Sequence, residues 1–220
     1  MEFNTAKVLS YSKMGELNLL EQVAYCARVS NPANQNNHLS SEKLCKYLLK
    51  NSHFSPFEMV HICMELETTR DISRQLIRHR SFSFQEFSQR YANVTDSFDF
   101  TTRECRTQHP SNRQMSVTTD NTELQKKFES MQKELIEMER KYYVFCIENN
   151  IAKEQSRVIL SEGLTKTRLY MNGTLRSWIH YLQIRTDKNT TQSEHCDLAI
   201  KILNEISTIF PLISEYVNMS

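Results

Sequence analysis

Glycine is what this chain most lacks: it has three in 220 positions, Gly15, Gly163 and Gly173. A G-x-G-x-x-G turn or a P-loop needs clustered glycines so that backbone amides can close on phosphates. Neither can be built here, so any nucleotide must be held by side chains and helix ends. The 27 Lys+Arg against 26 Asp+Glu leave a formal charge of +1, which argues against a protein that coats DNA or RNA. The longest apolar stretch, Tyr142 to Ile147, is six residues, far short of the ~20 a membrane span needs. Glu2, Lys7, Lys13 and Glu16 interrupt the first twenty residues, so no secretory signal is read there. Cys26, Cys45, Cys63, Cys105, Cys146 and Cys196 form no CxxC pair, which suits reduced thiols and a cytoplasmic, intracellular setting. No His/Cys spacing suggests a metal site. The length fits one domain over 1–220.

Periodicity gives the elements. Strands are expected at 5–10, at 61–68, where Ile62, Met64 and Leu66 alternate with a wet face, and at 164–171. Helices are expected at 17–27, 41–50, 71–79, 152–161, 174–186 and 197–210, the last one final. Residues 92–122, rich in Thr, Ser, Asn and Asp, read as a long polar surface excursion. Leu124, Phe128, Met131, Leu135, Met138, Tyr142 and Phe145 then recur in alternating four- and three-residue steps on one long helix. The stripe reads first as a helix packed on its own core, with an intersubunit contact as the alternative. The fold class is α+β, an antiparallel or mixed central sheet with long helices.

Five of fourteen arginines, at 70, 74, 78, 80 and 90, fall within a tenth of the chain. Arg70, Arg74 and Arg78 stand at i, i+4 and i+8, with Gln75 and His79 beside them. A solvated basic face is the plain explanation, but the segment holds no lysine, which would serve that purpose equally well. Arginine's planar fork suits phosphate oxygens and carbonyl edges. The following Ser81 to Tyr91 has no proline or glycine and suits a ligand-lining strand. An anion or nucleotide site and a solvated face remain open at this point.

The same segment carries a more specific pattern. Arg78-His79-Arg80, seven residues, then Ser88 and Arg90-Tyr91 resembles the RHRxxxxxxxS signature of the flavin-dependent thymidylate synthases. Further ordered matches are Cys26 to Ser30, His53-Phe54-Ser55-Pro56-Phe57-Glu58, Gln75, Arg157 and Leu175-Arg176 through Arg185. The resemblance implies a homotetramer with active sites shared between chains. It also implies reductive methylation of dUMP to dTMP, with methylenetetrahydrofolate as carbon donor and NADPH as reductant through FAD. Carried over by position, Gln75, Leu76, Ile77, Arg78, Glu86, Phe87, Ser88, Gln89, Arg90, Arg157 and Arg185 fall where the family contacts dUMP. Ser30, His53, Ser55, Arg78, His79, Arg80, Glu86, Thr174, Leu175, Arg176 and His180 fall where it contacts FAD. Arg176 and His180 are i, i+4 on one helix face. Arg185 lies nine residues on, about half a rotation away at ~100° per residue, so one helix can serve two ligands.

Arg185 is the expected catalytic residue: a permanent charge at the uracil N3–C4–O4 edge would stabilise the charge that develops as C6 accepts a hydride from flavin. Ser88 has no base at a fixed short spacing and is expected to orient substrate rather than attack it. No cysteine nucleophile is expected. Thr174, His180, Gln85 and Met59 depart from the family pattern, which bears on individual flavin contacts and leaves the signature whole. Two readings from other classes are a nucleotide-binding module without turnover and an RNA-binding protein. The intact signature with Arg185 disfavours the first, and the near-zero charge the second.

Overall fold

Alternation builds the centre of the structure, a computed structural model that describes residues 3–97 and 100–218. Residues 98 and 99, inside the expected excursion, lie outside the described residues. β2 (His61–Thr69) buries Ile62, Met64 and Leu66 completely, while His61 is exposed and Cys63, Glu65 and Glu67 are half-buried. It lies between β1 (Thr5–Tyr11) and β6 (Lys166–Thr174), and β3 (Phe82–Glu86) closes an antiparallel sheet in the order β1-β2-β6-β3. Register decides which side chains meet. Ile62 faces Gly173, Met64 faces Met171 and Leu66 faces Leu169, all on the covered side. On the other side Glu67 faces Arg168, whose Nη2 donates to Glu67 Oε1 at 2.6 Å, an opposite-charge cross-strand pair. Gly173 is required by packing: a Cβ there would stand 2.4 Å from Cδ1 of Phe82, its partner on β3.

Helices cover the apolar side. α1 (Leu19–Ala27) opens with a capping box, Asn18 Oδ1 accepting from Glu21 N at 3.0 Å and Glu21 Oε2 from Asn18 N at 2.8 Å. α2 (Ser41–Lys50) packs on α1. α3 is Arg70–Leu76, shorter than the helix expected over 71–79. The chain must turn there to feed β3 beside β6, and His79 N→Leu76 O and Phe82 N→His79 O make that turn. Arg78 therefore leaves the helix that was expected to align it with Arg70 and Arg74.

The excursion is built rather than featureless. It holds α4 (Val94–Ser97) and a hairpin of β4 (Arg106–Gln108) and β5 (Ser116–Thr118). It is tied to α5 (Thr122–Glu148), where the Gln132 amide accepts from Arg103 N at 2.7 Å and donates to Arg103 O at 3.0 Å. The α5 stripe does not pack on the core: its seven members are 38% to 58% exposed. The inward face is the adjacent one, Gln132, Ile136, Glu139 and Tyr143. It is half polar because it bonds loops: Glu139 accepts from Ser161 Oγ at 3.1 Å and Tyr143 Oη from Val94 N at 3.3 Å.

The helix expected over 152–161 is only α6 (Lys153–Ser156) followed by a 3-10 turn, Arg157–Ile159. Ser156 Oγ donates back to the Ile151 and Ala152 carbonyls at 3.1 and 3.2 Å, the kind of local bond that competes with helix continuation. α7 (Leu175–Arg185) buries Leu175, Trp178, Ile179 and Leu182 at i, i+3, i+4 and i+7. α8 (Ser193–Ser207) starts four residues before the expected 197, and α9 (Leu212–Asn218) follows it past Pro211, so α8 is not final. Leu198, Ile202 and Ile206 join α7 and the sheet in one core, each fully buried side chain contributing about 1.5–3 kcal/mol.

Candidate functional site

The expected site residues gather in three places, and the end of α3 feeds the first. Its last turn buries Leu76 in the core and leaves Ile77 exposed, which delivers His79 to the side of α7. The His79 ring stands edge-on to Tyr181, centroids 5.0 Å apart. Arg185, at the last position of α7, donates from Nε to His79 Nε2 at 3.1 Å. That bond requires a neutral imidazole with its lone pair on Nε2. Burial first, then the Arg185 charge, push the His79 pKa below its ordinary value, so the neutral form is favoured. The two Nη groups of Arg185 have no acceptor among the described residues. Gln75 approaches from α3, its Oε1 3.1 Å from His195 Nδ1 and its Nε2 donating to Gln192 Oε1 at 2.7 Å.

The second place is the start of α7. Thr174 Oγ1 accepts from Ser177 N at 3.1 Å, so this departure from the family pattern still caps the helix. Leu175 is buried in the core. Arg176 pairs with Glu58, and the His180 ring meets Phe54 at 4.8 Å between centroids. Burial and then Arg176 lower the His180 pKa, as expected for i, i+4 neighbours sharing a face. His53 and Ser55 are exposed beside them, His53 edge-on to Tyr47 at 6.1 Å. Ser177 Oγ donates to Ser81 O at 3.3 Å, joining this region to the turn that carries Arg78 and Arg80. Those two guanidiniums are exposed and meet no carboxylate among the described residues. Ser30 is exposed on the loop after α1, which buried Arg28 holds by donating to Asn37 O at 2.7 Å and Ser40 Oγ at 2.9 Å.

The third place lies beyond β3. A cavity of about 690 Å³ is lined by Gln85, Glu86, Phe87, Ser88, Tyr91, Arg168 and Tyr170. Arg90 pairs with Glu154 at 3.3 Å beside Lys153, Gln89 is buried, and half-buried Arg157 follows α6 directly. Glu86 is engaged by the protein: its carboxylate accepts from Ser73 Oγ at 2.8 Å and Thr167 Oγ1 at 3.1 Å, with Arg70 at 3.5 Å and Arg74 at 3.4 Å. Arg70 and Arg74 also meet Glu162. The i, i+4 part of the expected basic face is thus neutralised by carboxylates, and Arg78 and Arg80 are the open cations of the segment.

Sequence reading passes over Arg168, Tyr170 and Tyr181, and treats His195 as an ordinary surface or core histidine. Arg168 and Tyr170 enter the cavity only because β6 pairs with β3, Gln85 opposite Tyr170, which no local spacing signals. His195 is fully buried between Tyr181 and Gln75; it precedes the helix expected from 197, so no spacing singled it out. Burial pushes the Cys45 thiol up to about 12 and raises Cys63 and Cys196 as well, the opposite of thiolate activation. Among the described residues no three His, Cys, Asp or Glu side chains converge as metal ligands, and no helix is long and apolar enough to cross a membrane.

Comparison with known proteins bears on the family and the fold. The family model "Thymidylate synthase complementing protein" matches residues 8–212. A probable flavin-dependent thymidylate synthase of Paramecium bursaria Chlorella virus 1 is 43% identical over 198 residues, 89% of this chain and 90% of the relative. The flavin-dependent thymidylate synthase of Synechocystis sp. is 41% identical over 192 residues, 87% and 86% of the two chains. In three dimensions the fold is similar to PolB of Streptomyces cacaoi, a UMP/dUMP methylase solved with 5-Br dUMP, at a TM-score of 0.82 and 24% identity over 98% of this chain and 95% of that one. Signature, fold and relatives together place the chain in the family of flavin-dependent thymidylate synthases.

Proposed function

We propose that this chain methylates dUMP to dTMP, using methylenetetrahydrofolate as carbon donor and NADPH as reductant through FAD. One observation carries the reading most: Arg185 is oriented by a neutral His79 and keeps both Nη groups open. A planar fork held in that way suits the N3–C4–O4 edge of uracil and stabilises charge there without exchanging a proton.

The donor set also fits a flavin dinucleotide. Arg78 and Arg80 are open guanidiniums beside the α7 start, suited to a diphosphate, and the glycine shortage leaves that work to side chains. Ser30, His53, Ser55, Arg78, His79, Arg80, Glu86, Thr174, Leu175, Arg176 and His180 would hold the cofactor. When bound, it supplies the hydride that ends on uracil C6. Ser88, Arg90 and Arg157 would take the dUMP phosphate, with Gln75 to Arg78 and Glu86 to Gln89 lining the rest. Glu86, bonded by four side chains, acts by fixing the end of β3. Ser88 orients substrate, since none of its hydrogen bonds is to a base that would activate it.

The chain is further proposed to work as one domain in an intracellular, cytoplasmic homotetramer whose sites are shared between subunits. The exposed α5 stripe supports this as a contact surface, since apolar rows of that size mark interfaces. A flavin absorbance spectrum of the purified protein, with and without dUMP, tests the reading: bound flavin perturbed by dUMP and NADPH-dependent dTMP formation are expected. Colourless protein that fails to bind added FAD would overturn it.

A further inference from the structure

We propose that Glu194, paired with Arg106, fixes the hydrogen-bond polarity of Gln192, Gln75, His195 and Tyr181, so that Gln75 meets the substrate as an N–H donor. Glu194 and His195 are then positioning residues. The inference deepens the dUMP reading above and rests on it.

Hydrogen-bond polarity runs outward from the carboxylate. Glu194 is fully buried and pairs with Arg106 through Oε1. Burial by itself would raise its pKa, but the hydrogen bonds from Arg106 and Gln192 outweigh that and hold it below the ordinary value. An ionised carboxylate only accepts. Gln192 must therefore point its Nε2 at Glu194 Oε2, 2.9 Å away. Its other end is then an oxygen, and Gln75 must offer Nε2 to it at 2.7 Å. This turns Gln75 Oε1 toward His195 Nδ1 at 3.1 Å, so that nitrogen must carry the proton. The lone pair falls on His195 Nε2, and Tyr181 must donate its hydroxyl proton to it at 3.1 Å. Reversing either amide would set two donors or two acceptors against each other.

The histidine suits this use. It is fully buried, and burial first, then Arg185 and His79, lower its pKa to about 3. It stays a neutral imidazole of one tautomer at any pH near 7. The anchor comes from the polar excursion: Arg106 sits on β4, and its Nε also donates to Ser116 Oγ of β5 at 2.9 Å. The second N–H of Gln75 has no acceptor among the described residues. That N–H is the group left for a ligand, and it selects an acceptor oxygen over a donor at the same point, because a buried unmatched donor is costly.

Glu194→Gln tests this: Arg106 can only donate and keeps the amide oxygen, so the new Nε2 turns toward Gln192 and reverses the polarity of the whole chain. In the wild-type holoenzyme, labelled with 15N-histidine, His195 should show the Nδ1–H tautomer, and in the variant the Nε2–H tautomer. KM for dUMP should rise about tenfold, by more than kcat falls, as expected for one misdirected hydrogen bond. Arg106→Gln combined with Glu194→Gln removes the unpaired guanidinium and serves if the single variant does not fold. An unchanged tautomer with unchanged KM for dUMP would overturn the proposal. Wild-type protein that does not bind dUMP would instead overturn the substrate reading, while the tautomer measurement still judges the relay.

Discussion

Arg185 and His79 depend on one another at the scale of single residues. Arg185 needs an acceptor at Nε to hold its plane, and His79 serves only while neutral. Arg185→Lys should fold and retain FAD yet lose turnover by at least about a hundredfold, because lysine keeps the charge and loses the fork; near-normal dTMP formation would contradict the role. The pH dependence has a definite sign. His79 titrates below its ordinary 6.5 in the folded protein. Its contribution is therefore complete above that value and is lost as pH falls through the lowered one. An acid limb in kcat is expected, and His79→Gln, which accepts but does not titrate, should shift or remove it; an unmoved limb would assign the titration elsewhere. Thiols are expected to be dispensable. Replacing the six cysteines singly and then together should leave dTMP formation in folded protein, since burial raises the thiol pKa at Cys45, Cys63 and Cys196. Complete loss from one change that still binds FAD and dUMP would show covalent catalysis by sulfur.

Elements hold the site through contacts that a hydrophobicity pattern does not display. Gly173 allows Phe82 to lie across β6 and reach Trp178, centroids 4.7 Å apart. Gly173→Ala should cost about 1–3 kcal/mol through overpacking, read as a lower Tm, with β3 and the signature after it disturbed first. Gln132 performs a different task on α5. It satisfies both backbone groups of Arg103, whose guanidinium in turn meets Asp71 Oδ1 at 2.6 Å. Gln132→Leu should destabilise by about 1–3 kcal/mol, the cost of orphaning buried backbone groups. It should also open 92–122 to limited proteolysis, and unchanged protection would show that the hairpin is held by its other contacts.

For the whole molecule, the α5 stripe is the surface a single chain leaves unsatisfied. Seven apolar side chains lie along a helix of 27 residues, about 40 Å long at ~1.5 Å per residue. Leu135→Glu with Met138→Glu should leave the core intact, since neither residue belongs to it, and shift light scattering toward smaller species with loss of turnover. A fully active monomer would sink the shared-site reading.

Composition and spacing determined a good deal here. The α+β class, the wet and dry sides of β2, most helix positions and the signature from Arg78 to Arg90 follow from period, charge and residue identity, which are local properties. Tertiary structure decided the remainder. Whether the α5 stripe or the neighbouring row faces inward depends on which loops need hydrogen bonds, and Gln132 and Glu139 won that face because Arg103 and Ser161 lie opposite. Arg70 and Arg74 look like ligand groups in one dimension and are ion-pair partners of Glu86 and Glu162 in three. His195 looks ordinary until α3, α7 and α8 bring it between Tyr181 and Gln75. The polarity of that relay is fixed only when a hairpin 88 residues away in sequence sets Arg106 against Glu194, because a hydrogen bond's direction depends on every partner in its chain.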